Sequence, residues 1–151
     1  MHTMHRHVIA MLLGAAMLGA CDVRLGHFDE DKRRALDGVD TFRILREQQE
    51  YARLYELTAP TMKAVVPKDQ FIVAAQLAMA DLGKYKSSVL VLSSCFPQQV
   101  RLVYDAEYER ATVREFMIWS VPGDRAELAR YEVSFKREAF DKAAQVGCPI
   151  P

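Results

Sequence analysis

The chain has 151 residues, 50% of them hydrophobic and 26% charged, the size and composition of one ordinary globular domain. Its 20 basic and 20 acidic residues cancel, so no basic excess points to nucleic acid and no acidic block points to a solvating tail.

The first twenty residues read as an export signal and stand outside any argument about the fold. Met1 to His7 carries Arg6 and three histidines, Val8 to Leu18 is apolar but for one glycine, and Leu18-Gly19-Ala20-Cys21 follows directly. A charged start, an apolar run and small residues at a cleavage point are the marks of an export signal. As a helix the apolar run rises only about 16 Å, roughly half the hydrocarbon thickness of a bilayer, too short for a retained span. Leu18-Gly19-Ala20-Cys21 resembles the lipobox of bacterial lipoproteins. That resemblance implies diacylglycerol on the Cys21 sulfur, cleavage before Cys21 and an acyl chain such as palmitate on the new N-terminus. Several chains together anchor stably where one binds marginally. In lipoproteins of enteric type an aspartate after the lipidated cysteine, here Asp22, implies retention in the inner membrane facing the periplasm; the outer membrane stays open. Two cysteines then remain, Cys95 and Cys148. As the only pair left in an exported domain, each at the edge of an element, they are expected to form a disulfide.

Residues 21–35 hold Asp29-Glu30-Asp31-Lys32-Arg33-Arg34 and few apolar side chains, the composition of a solvated tether; Lys32-Arg33-Arg34 could alternatively touch anionic headgroups. The spacing of Leu36, Val39, Phe42 and Leu45 predicts a helix over about 36–48. Gln48-Gln49-Glu50 then shifts the phase, so either a second short helix over Tyr51, Leu54, Tyr55 and Leu57 follows before Pro60, or one long helix runs through. Residues 61–66 read as a connection. Pro67 opens a further helix with Phe71, Ala74, Ala75, Ala78 and Leu82 on one face and Gly83 at its end. The alanines would let that helix lie tight against a sheet.

From Lys86 to Phe135 the β-branched and aromatic residues fall into four runs divided by turn residues, an antiparallel meander. Ser87 to Cys95 is apolar on both faces and reads as a covered strand. In the second strand Val100, Leu102, Tyr104, Ala106 and Tyr108 alternate with Arg101, Asp105, Glu107 and Glu109. In the third, Val113, Met117, Trp119 and Val121 share a face with Glu115, while Phe116 and Ile118 share the other with Arg114. Pro122-Gly123-Asp124 is a turn, and the fourth strand runs through Leu128, Tyr131, Val133 and Phe135. Helices followed by a hairpin-connected sheet make an α+β domain over residues 36–135, with a C-terminal tail over 136–151.

This order, with the helix ending Leu82-Gly83, the Lys84-Tyr85-Lys86 entry and the strand Thr112-Val113-Arg114-Glu115-Phe116-Met117-Ile118-Trp119, resembles the cystatin-like cone fold of the nuclear transport factor and ketosteroid isomerase group, and more closely uncharacterised bacterial lipoproteins of that fold. The resemblance implies N-terminal helices packed on a curved four-stranded antiparallel sheet, around a cavity that members use for ligands, for catalysis or not at all. Fold alone does not assign the activity.

The chemistry available is narrow. All four histidines, His2, His5, His7 and His27, lie in the signal or the tether, which removes imidazole-based acid/base and nucleophilic systems and ordinary zinc sites from the domain. No glycine-rich phosphate loop is present, and neither a metal nor a cofactor is expected. Tyr104, Tyr108, Glu115, Trp119 and Arg130 are the candidate pocket residues. Glu115 with a tyrosine could serve a histidine-free isomerase, in the manner of carboxylate and phenol in ketosteroid isomerase. Against this, Glu115 could sit near the open end of the cone or pair with Arg130, and Trp119 could be core. Phe116 and Ile118, on the face away from the helices, suit a homodimer or partner contact. The alternatives are that the face assignment is reversed or that residues 137–146 fold back over it. The expectation is a lipid-anchored cell-envelope module that binds a protein or small ligand without transforming it; the alternative is an isomerase or hydratase of the cone fold.

Overall fold

The computed structural model describes residues 27–137, 139 and 145–150. The signal segment, Cys21 and the first part of the tether lie outside the described residues. Helices α1 (Phe28–Glu47), α2 (Tyr51–Glu56), α3 (Pro60–Lys63) and α4 (Lys68–Leu82) precede strands β1 (Tyr85–Phe96), β2 (Gln99–Tyr108), β3 (Thr112–Ser120) and β4 (Glu127–Ser134). The strands form one antiparallel sheet in the order β1-β2-β3-β4, so the domain is α+β, as the order of patterns predicts. Among the described residues no helix is long and apolar enough to cross a membrane.

The tether ends earlier than composition predicts, because Phe28 to Ala35 is helix. Asp29, Glu30 and Asp31 occupy the first turn, where their charge complements the helix dipole. Glu30 pairs with Arg34 and Arg33 with Asp37, each one helical turn apart. Ala35 is fully buried and joins the core with Val39 and Phe42, so this stretch has an inner face that a count of charges does not reveal. Where Gly38 passes the sheet, a Cβ would stand 2.7 Å from the Trp119 ring, so α1 sits this close only because residue 38 lacks a side chain.

The break after α1 is real. Gln49 adopts a left-handed φ of 58°, and the backbone restarts as α2. Thr58 and its neighbours are stitched to β4 by Ala59 N–H to Leu128 O at 2.8 Å and Leu128 N–H to Leu57 O at 2.9 Å. Pro67 caps α4 from outside its first turn, and Gly83 closes it at φ 77°. The alanine face of α4 does not lie on the sheet as expected. α4 packs against α2, and Leu82 is its one buried residue, so the helix stands off the sheet and leaves space beneath it.

β1 is an edge strand and less covered than its apolar run predicts: Val89 is 66% exposed, whereas Leu92 to Cys95 are buried. Irregularities at Leu90/Leu92 in β1 and Ile118/Trp119 in the β3–β4 pairing bend the strands, and the second moves Leu128, Tyr131 and Val133 onto one face despite their uneven spacing. β4 ends at Ser134, leaving Phe135 outside it and exposed. The inner faces of β2 and β3 carry the residues that the alternation predicts. Trp119, Met117, Leu102 and Val100 are fully enclosed with Phe42 and Leu54.

The C-terminal tail is fastened along the end of β1. Cys95 and Cys148 form a disulfide, as expected. Cys95 N–H donates to Val146 O at 2.7 Å, and Val146 N–H donates to Ser94 Oγ at 3.2 Å. Lys32 of α1 reaches Cys148 O and Pro149 O at 3.4 and 3.3 Å, so the helix start, the tail and the strand end hold one another.

Candidate functional site

The centre of the domain is a buried polar cluster between α1 and the sheet. On α1, Arg46 lies one turn after Phe42, on the same apolar face; it is 3% exposed. Opposite it, the inner faces of β2, β3 and β4 supply Tyr108, Glu115 and Tyr131. The Tyr108 and Tyr131 hydroxyls donate to Glu115 Oε1 at 2.6 and 2.7 Å. Arg46 in turn donates to both phenol oxygens, through Nη2 to Tyr108 and through Nη1 to Tyr131 at 3.0 Å, and Nη1 lies 3.6 Å from Glu115 Oε1. Arg43 approaches the other carboxylate oxygen, Nη2 to Oε2 at 3.3 Å, and its Nη1 donates to the Tyr85 hydroxyl and to Ser88 Oγ. Its guanidinium stacks between the Tyr85 and Tyr104 rings at 4.5 and 4.7 Å.

Burial and neighbouring charges fix the protonation of Tyr104, Tyr108, Tyr131 and Arg46. Burial pushes the Tyr104 phenol up to about 12. Burial, reinforced by the Glu115 carboxylate, raises Tyr108 and raises Tyr131 well above the ordinary phenol range. All three phenols therefore stay protonated at neutral pH, and Tyr108 and Tyr131 serve as donors. Burial alone would depress Arg46, but the oxygens of Tyr131, Tyr108 and Glu115 outweigh it and its shift is upward, so it stays charged. Glu115 is enclosed by donors on both oxygens, a poor position for a general base, which must reach the proton it abstracts.

Beside this cluster lies the space beneath α4, a half-open cavity of about 250 Å³. Ala74, Ala75 and Ala78 of α4 form its roof with Phe71 at the helix start. Met62 and Val66 close one side, Leu54 another, and Phe42, Arg46 and Tyr131 form the floor. Phe42 and Tyr131 pack ring against ring at 5.0 Å. The cavity is apolar except at this floor. A second space of about 250 Å³, near the turn before β4, is bordered instead by the surface charges Arg53, Glu56, Arg125 and Glu127.

Of the candidate pocket residues, Tyr104, Tyr108 and Glu115 come together with the arginines but none lines the cavity. Trp119 is core, fully buried under Gly38. Arg130 neither joins the pocket nor pairs with Glu115; it sits on the outer sheet face, where the β-pleat directs it, and pairs with Glu132. Glu115 is likewise deep in the sheet and away from any open end. Phe116 and Ile118 do lie on the face away from the helices, half-buried, along a shallow groove with Leu92, Val103 and Arg101. Arg43, Arg46 and Tyr131 are the members of this cluster that sequence reasoning misses. The available signal was Arg46 at Phe42 plus four, a charge on the apolar stripe that needs a buried partner. No protein-family description, curated protein or solved structure matches the chain.

Proposed function

We propose that this chain is a lipid-anchored cell-envelope protein whose domain, a cone of the cystatin-like kind, receives a small, largely apolar ligand beneath α4 and does not transform it. The observation that carries this reading is the stand-off of α4: its alanines roof a space of about 250 Å³ whose walls are almost wholly apolar. Packed interiors rarely leave such room, and concave apolar space with a few polar groups is the usual form of a ligand site. Binding is favoured over isomerase or hydratase chemistry because Glu115 is committed to two phenols and two guanidiniums and is not a wall of the cavity.

Replacing Ala78 by leucine fills the roof of the cavity. Calorimetric titration of the wild-type domain with two eight-carbon probes, 1-octanol and octanoate, is expected to give saturable binding of at least one, and Ala78→Leu should abolish it at an unchanged urea midpoint. Failure of the wild type to bind either probe would refute the ligand-site reading. The anchor is tested separately: Cys21→Ser is expected to move the protein from the membrane to the soluble fraction, and its continued sedimentation with membranes would exclude lipidation at Cys21.

A further inference from the structure

We infer, building on the reading of the space beneath α4 as a ligand site, that the ligand is a small organic anion: a monocarboxylate with a compact apolar body, its charge set against Arg46. Three observations converge. First, the cluster holds two guanidiniums, Arg43 and Arg46, against the single carboxylate of Glu115. Asp40 and Glu47 stand beside Arg43 on the solvent side, in a surface groove that does not include Arg46. Tyr108 and Tyr131, the other titratable groups facing Arg46, stay neutral, so apart from the faces of the Phe42 and Tyr108 rings its one counter-charge among the described residues is Glu115.

Second, Arg46 is under-used. A guanidinium carries five N–H donors. Two of them are engaged, to Tyr108 and Tyr131, and Nε is buried with no hydrogen-bond partner among the described residues. Arg43 Nε is orphaned in the same way, but of the two arginines only Arg46 borders the apolar cavity, where an acceptor would offset the cost of a buried charge with unmet donors. Third, Arg46 forms part of the floor of a cavity whose remaining walls are almost wholly apolar. A charged floor under apolar walls matches a molecule with one anionic end. At the roughly 30 Å³ that a water takes in the liquid, the half-open space holds about eight such volumes, room for the enclosed part of a ligand of roughly eight to ten non-hydrogen atoms. Arginine and carboxylate are matched in geometry, and charge-assisted hydrogen bonds are about twice as strong as neutral ones.

The test compares octanoate, 1-octanol and octylamine, which share a tail and differ in head, by calorimetric titration of the wild-type protein at neutral pH. Octanoate is expected to bind at least tenfold more tightly than 1-octanol, and octylamine more weakly than either. Arg46→Gln, which leaves Glu115 paired with Arg43 and both phenols, should bring octanoate down to the affinity of 1-octanol. Should that variant fold poorly, the wild type still decides: octanoate affinity must fall as the pH is lowered until the probe itself is protonated. Equal binding of octanoate and 1-octanol would overturn this inference and leave the ligand site standing. Binding of neither would overturn both.

Discussion

Replacing Glu115 by glutamine is expected to lower the stability of the folded domain by about 3–5 kcal/mol, the usual cost of removing one partner of a buried ion pair. The residue is fully buried, and its carboxylate is the shared counter-charge of Arg43 and Arg46. Glutamine keeps the shape and one acceptor oxygen but leaves Arg46 with no counter-charge among the described residues and Arg43 with only the solvent-side Asp40 and Glu47, and its amide would face donors. Against a total of about 5–15 kcal/mol for a typical domain, such a loss should be plain in the urea midpoint. Glu132→Gln is the matched control. It breaks a closer pair, with Arg130, but both side chains are more than half exposed, and a surface pair contributes about 0–1 kcal/mol. Equal and small effects of the two substitutions would mean that the cluster contributes no more than a surface contact.

The second large effect is expected at the disulfide. Cys95 and Cys148 are separated by 53 positions, and closing a loop of that size in the unfolded chain is worth about 4 kcal/mol. Breaking it also frees the tail that covers the end of β1, where Ser93 N–H donates to Gln145 Oε1 and Cys95 N–H to Val146 O. In the Cys21→Ser protein, Cys148→Ser should therefore lower the urea midpoint strongly and increase amide exchange at Ser93 and Cys95 before the rest of the sheet. Free thiols at both positions in unreduced protein, or an unchanged midpoint after reduction, would contradict this.

How much of this was legible in the sequence follows from the range of each interaction. The alternation in β2 and β3 places Tyr104, Tyr108 and Glu115 on one inner face, because the period of two is set by neighbours along the chain. The break at Gln49 and the stop at Gly83 are local in the same sense. The partners of Glu115 are not. Arg43 and Arg46 lie 72 and 69 positions before it, and only the docking of α1 on the sheet decides that these arginines meet it, whereas the register of β4 turns Arg130 to the other face. The start of α1 is hidden from composition, which averages over residues 28–35, whereas the helix depends on which of them share a face. The alanines of α4 misled for a related reason. Small residues permit close approach but do not require it, and here they bound a space instead.

Methyl-resolved NMR during an octanoate titration tests the central claim most directly. The domain would carry labelled alanine, methionine, leucine, isoleucine and valine methyls. The cavity reading predicts saturable shifts at Ala74, Ala75, Ala78, Met62, Leu54 and Val66, with Val89 and Ile118 on the opposite side of the sheet unmoved. Shifts at Val89 and Ile118 with a silent α4 roof, or no shift anywhere at saturating probe, would contradict it.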